Sequence, residues 1–142
     1  MTTHFKPKSA RIGGHPAFAA GAIAATTSST VVTLIPTPRR TCYVDQASIV
    51  LSVLGVSASS TIFAKLVILA TDGSTSRDLT GTLSLESDGV ATAKVPVDLA
   101  ITANSGNRTL LPGETLNCSI ASAGTNGTAP VGFITVEVLV QD

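Results

Sequence analysis

Residues 61–70 read Thr61-Ile62-Phe63-Ala64-Lys65-Leu66-Val67-Ile68-Leu69-Ala70. In an extended chain successive side chains point to opposite sides. Ile62, Ala64, Leu66 and Ile68 then share one face, and Phe63, Lys65, Val67 and Leu69 share the other. Both faces are largely apolar, so the segment predicts a strand covered on one side by a core and on the other by a neighbour. Small polar residues at 55–60 precede it. Thr71-Asp72-Gly73-Ser74 follows, with Asp-Gly as a hairpin signal.

The same β texture extends in both directions. Upstream, residues 43–54 place Ala47, Ile49, Leu51 and Val53 in phase, and residues 30–35 form a run closed by Pro36-Thr37-Pro38. Downstream, 78–85 aligns Leu79, Gly81, Leu83 and Leu85, and 91–101 aligns Ala93, Val95, Val97 and Leu99. Pro96 cannot donate to a ladder and assigns that strand to a sheet edge. A short strand over 108–111 precedes the turn Pro112-Gly113-Glu114. Residues 115–121 turn Leu116, Cys118 and Ile120 inward, and 132–140 carry Ile134, Val136, Val138 and Val140 on one face. The pattern predicts an all-β chain, an antiparallel eight-stranded β-sandwich. Eight strands fill two four-stranded sheets, which favours a jelly roll. An immunoglobulin-like sandwich is the alternative, without the core Trp and paired cysteines of that family.

A chain of 142 residues suits one domain. The organisation predicted is an extended basic N-terminal arm over 1–29 and a sandwich body over 30–142. The arm has no clear period; it contains Pro7, Gly13-Gly14 and Pro16, and its alanine-rich part predicts a short helical turn within 17–25. Positive residues ahead of that part resemble a secretory signal, but Ala and Gly dominate the stretch and His15-Pro16 stands directly before it. No run reaches the 18 or so apolar residues of a membrane helix.

The net charge is zero, from 9 bases and 9 acids, which argues against a nucleic-acid coat. The halves differ, however. Residues 1–40 carry Lys6, Lys8, Arg11, Arg39 and Arg40 and no acid, hence +5; the remainder carries four bases against nine acids, hence −5. A basic arm on an acidic body suits an acidic partner surface, a neighbouring copy or nucleic acid; otherwise its charges serve solubility alone.

Little in the chain points to catalysis. Both histidines, His4 and His15, fall in the arm, which cannot hold a base in register with a nucleophile. Cys42 and Cys118 match no zinc or redox spacing and read as free thiols, with Cys118 in phase with Leu116 and Ile120; a disulfide belongs to the secreted alternative. The acids near 72–78 and 86–88 lack the ligand density of a calcium loop. No enzyme, metal or cofactor is therefore expected. Trp is absent and Tyr43 is the single tyrosine, too few aromatics for a sugar-binding platform. Apolar strands with few charges instead suit a subunit that packs on copies of itself or on a larger surface.

Three stretches carry a family resemblance: Leu79-Thr80-Gly81-Thr82-Leu83-Ser84-Leu85, Ala93-Lys94-Val95-Pro96-Val97-Asp98 and Arg108-Thr109-Leu110-Leu111-Pro112-Gly113-Glu114-Thr115-Leu116. With Ala129-Pro130-Val131 and the last strand, the body resembles the small β-sandwich proteins that decorate the heads of tailed bacteriophages. The resemblance rests on texture and turn placement, covers about 100 residues and excludes the arm. It implies a cement protein, made in the host cytoplasm and located on the outer surface of the virion. Such a protein binds the major capsid protein, commonly as a homotrimer, and bridges neighbouring capsid subunits, with no nucleic-acid or membrane partner. On that reading Phe5, Lys6, Lys8, Arg11, Phe18, Arg39 and Arg40 grip the capsid, and the face bearing Phe63, Val67 and Leu69 joins subunits. A tail- or fibre-associated sandwich, a secreted adhesin and a carbohydrate-binding module are the competing readings.

Overall fold

The computed structural model describes residues 14–23, 30–36, 38–56, 62–86, 93–121 and 128–141. Among them are ten strands and no helix: β1 (His15–Ile23), β2 (Thr30–Ile35), β3 (Cys42–Val53), β4 (Phe63–Leu69), β5 (Ser76–Asp78), β6 (Leu83–Ser84), β7 (Val97–Leu99), β8 (Thr109–Leu110), β9 (Thr115–Ile120) and β10 (Val131–Val140). They form two antiparallel sheets of five strands, consistent with a β-sandwich. The front sheet runs β1-β10-β3-β7, with β8 also on β3; the back sheet runs β2-β9-β4-β5, with β6 also on β4.

Alternation explains the layers. On β10, Ile134, Val136 and Val138 are buried, whereas Phe133 and Thr135 face out. The inward sets of β3 (Val44, Ala47, Ile49, Leu51), β4 (Ala64, Leu66, Ile68) and β9 (Leu116, Cys118, Ile120) complete one core that contains no aromatic side chain. Aliphatic side chains, with Cys42 and Cys118, fill the gap of about 10 Å between packed sheets.

Several strand expectations need correction. The predicted count was eight, and a helical turn was expected within 17–25. Residues 15–23 instead form β1, paired along its length from His15↔Val140 to Ile23↔Gly132. Alanine favours helix locally, but burial of alternate small residues against the second layer overrides that preference. Gly21 shows how tight this is: a Cβ there would stand 2.5 Å from Val32 Cγ1 and 2.7 Å from Leu34 Cδ2. The expected arm residues 1–13 and 24–29 lie outside the described residues.

The run over 78–85 divides because Thr80 interrupts it. The Leu66 N–H donates to Thr80 Oγ1 at 3.0 Å rather than to a strand carbonyl. Of the expected run 91–101, the described residues 93–101 contain only β7 as strand. Lys94 takes a left-handed backbone, φ 65°, and β7 lies at the edge of its sheet beside Pro96.

Two arginines tie the short strands down. Arg108 Nε donates to Val44 O at 2.9 Å and Nη2 to Asp45 O at 2.6 Å. Those carbonyls flank the irregularity where β3 shifts register against β10. The guanidinium also lies 4.8 Å from the Tyr43 ring centroid, a cation–π distance. Arg77 of β5 makes a two-pronged pair with Glu114, Nη1–Oε1 2.8 Å and Nη2–Oε2 2.9 Å, while Glu114 Oε2 accepts the Leu111 N–H at 2.8 Å. These donors hold the Glu114 carboxyl below its ordinary range, the Arg77 hydrogen bonds first among the causes, and the hydrogen bond to Glu114 in turn raises Arg77.

Two predictions follow from this packing. Gly21→Val should destabilise the fold by about 1–3 kcal/mol through overpacking of β1 on β2, read as a lowered thermal midpoint. Glu114→Gln should cost about 2 kcal/mol near neutrality. Because folding lowers the Glu114 pKa, its contribution is complete above the unfolded value and disappears as pH falls through the folded one. The melting gap between wild type and Glu114→Gln should therefore narrow in melts run from pH 7 down through the carboxylate range. Arg77, raised on folding, loses its contribution only as pH rises past the ordinary arginine value.

Candidate interaction surface

Neighbouring strands place side chains of one face in rows across the front sheet. From β1 through β10 to β3 the outward rows are Pro16–Leu139–Tyr43, Phe18–Glu137–Gln46, Ala20–Thr135–Ser48 and Ala22–Phe133–Val50. Phe18 is 70% exposed, Phe133 62% and Val50 36%. Solvated sheet faces usually alternate to polar residues; this one carries apolar residues along all of β1. The β1 sequence, HPAFAAGAI, contains no Lys, Arg, Asp or Glu, and among the described residues β1 stands at the sheet edge with one strand neighbour. Charged edge residues are a common guard against pairing with another chain, and β1 has none.

Three concavities border this surface. One, of about 350 Å³, has Arg39, Arg40 and Phe18 around an apolar floor that includes Ile35, Val138 and Val140. A second, of about 150 Å³, shares Phe18 and is lined on its other side by Gln46, Asp98 and Glu137; Gln46 Nε2 donates to Glu137 Oε1 at 3.3 Å. The third, of about 400 Å³, is an apolar groove between Ala22, Val50 and Phe133, with Lys94 at its rim. The Lys94 N–H donates to Leu51 O at 2.7 Å, which anchors that left-handed residue to β3.

Of the side chains expected to form an interaction site, Phe18, Arg39 and Arg40 come together in the first concavity. Phe5, Lys6, Lys8 and Arg11 lie outside the described residues. Phe63, Val67 and Leu69 share the outward face of β4, as the alternation predicts. That face is far from open: Val67 is 8% exposed, and its cross-strand neighbour Asn117 is 4% exposed. The larger apolar exposure lies on the opposite sheet. Sequence reasoning missed Ala20, Ala22, Val50 and Phe133 as a surface because it placed residues 15–23 in the arm. The alternation of Phe18, Ala20 and Ala22 was the signal that could have found them.

Cys42 and Cys118 are buried free thiols on different sheets. Burial pushes the Cys118 thiol up to about 12 and raises Cys42 as well. Among the described residues no three His, Cys, Asp or Glu side chains stand close enough to hold a metal ion, and no helix is long and apolar enough to cross a membrane. Glu86 is buried and accepts the Ile62 N–H at 3.4 Å.

No protein-family model matches this chain, and no curated protein or solved structure is significantly similar to it. The surface itself therefore carries the functional argument.

The thiols yield a direct test of this burial. At pH 8 a thiol with a pKa near 12 is ionised in about one molecule in 10⁴, against roughly a quarter for an ordinary cysteine. A disulfide-exchange dye should leave Cys118 unmodified in native protein on the time scale that labels a free thiol fully. Both cysteines should react at once in denaturant.

Proposed function

We propose that this chain is a structural virion protein that binds the outer surface of a phage capsid and bridges neighbouring capsid subunits. The observation that carries the reading is the front sheet's outer face, which exposes Phe18, Phe133 and Val50 beside an uncharged edge strand. Apolar exposure of this kind is spent on contact with another surface. The basic residues Lys6, Lys8 and Arg11 at the N-terminus supply attraction for an acidic capsid surface. The protein acts as a homotrimer, without catalysis or cofactor. A ligand that binds only the closed lattice stabilises it by mass action, and repetition over the shell multiplies the effect.

The same reading includes a jelly roll. Its support is the strand order: β10 lies between β1 and β3, β9 lies between β2 and β4, and the chain passes from sheet to sheet at each step from β1 to β4. A carbohydrate-binding module or adhesin is the second reading, favoured by the outward Phe18 and Phe133 rings.

Purified protein added to expanded tailed-phage heads stripped of their decoration should bind saturably and raise the temperature at which DNA escapes. Deletion of residues 2–13 should weaken that binding at least tenfold while leaving β1 in place. Heads that neither bind the protein nor gain heat resistance would overturn the proposal, and binding on a glycan array would favour the second reading.

A further inference from the structure

We infer that the Arg39/Arg40 concavity of one copy docks on the Asp98/Glu137 concavity of the next, with Phe18 at the seam. The inference rests on the homotrimer of the preceding reading and names its interface. The two concavities share the Phe18 ring and are otherwise lined by different residues. Asp98 and Glu137 belong to strands β7 and β10 of the front sheet, whereas Arg39 and Arg40 stand exposed in the connection from β2 to β3. One protomer thus presents a basic patch and an acidic patch side by side. A surface cannot mate with an identical copy of itself when its charge has one sign, but a basic patch mates with a displaced acidic one. Displaced patches of opposite sign can meet head-to-tail or reciprocally across a two-fold axis; the homotrimer of the preceding reading requires the head-to-tail arrangement, the type that closes into rings.

The surroundings favour the same occupant. Edge strand β1 has no charge to repel an approaching chain. Its outward Ala20 and Ala22 are small enough for close approach, and Phe18 is a large exposed anchor. The acids on this sheet also complement the +5 excess of residues 1–40, so each added copy meets attraction rather than repulsion.

The test is absolute mass in solution, by light scattering behind a sizing column, on the full chain. Wild type should elute at three chain masses. Arg39→Glu with Arg40→Glu should raise the dissociation concentration at least tenfold, as should Asp98→Arg with Glu137→Arg, because each places like charges across every contact. All four substitutions in one chain should restore the trimer. Circular dichroism and melting of each variant show whether it is folded. Raising salt from 50 mM to 1 M should dissociate wild type, a readout that needs no variant, since screening shortens the Debye length to about 3 Å. A trimer that ignores both reversals and salt overturns this interface and leaves the homotrimer intact. A wild-type monomer overturns interface and homotrimer together, while heat resistance of decorated heads still judges capsid binding separately. Folded Arg39→Glu/Arg40→Glu protein that stays trimeric but no longer binds heads also overturns the inference, and assigns the arginines to the capsid.

Discussion

The antiparallel ladder β1–β10–β3 governs the rest of the molecule. β10 is paired on both edges, over nine residues with β1 and ten with β3. A strand held on both sides has its backbone groups satisfied and is locked in register. That register decides which side chains face the back sheet, because a slip of one residue would move Ile134, Val136 and Val138 into solvent. It also fixes the outward rows on which the proposed contacts stand. Core and surface are therefore two sides of one pairing pattern.

The two irregularities in that ladder keep the pattern consistent over its length. β3 shifts register against β10 near Val44 and again near Ser52. Unpaired carbonyls at such points must find other donors. Arg108 supplies them at the first, and at the second the Ser52 hydroxyl donates to Val131 O at 3.1 Å. Arg77 and Glu114 do comparable work at the far edge of the back sheet, where β5 alone would be too short to hold its place. Long strands are specified by burial and short ones by charged side chains reaching across connections. The acid sensitivity attributed to Glu114 is a consequence of that division.

The lack of aromatic side chains in the core of the described residues has a further effect. Two of the chain's four phenylalanines stand in solvent on the front sheet. Rings at the surface are costly in water and valuable in an interface. This distribution supports the proposed reading of the molecule as a component of an assembly.

The long strands were legible from sequence alone because each buries one face and repeats with period two: β2, β3, β4, β9 and β10 fall within two residues of the runs read from the alternation. The all-β class and the buried Cys118 followed from the same signal. The edge position of β7 followed from Pro96. Period two could not show that alanine-rich residues 15–23 complete a sheet, since Ala and Gly carry little β preference and the pairing partner lies more than a hundred residues away at β10. Nor could it show what covers the second face of β4: the sequence assigns that face to a neighbour, and Val67 is already buried within the chain. Arg39 and Arg40 could be named from their charge. Their meeting with Phe18, and the acidic concavity beyond that ring, exist only because three distant segments are brought together by the ladder. Local alternation fixes which face of a strand is apolar, but only the packing of the sheets decides which apolar faces are left for a partner.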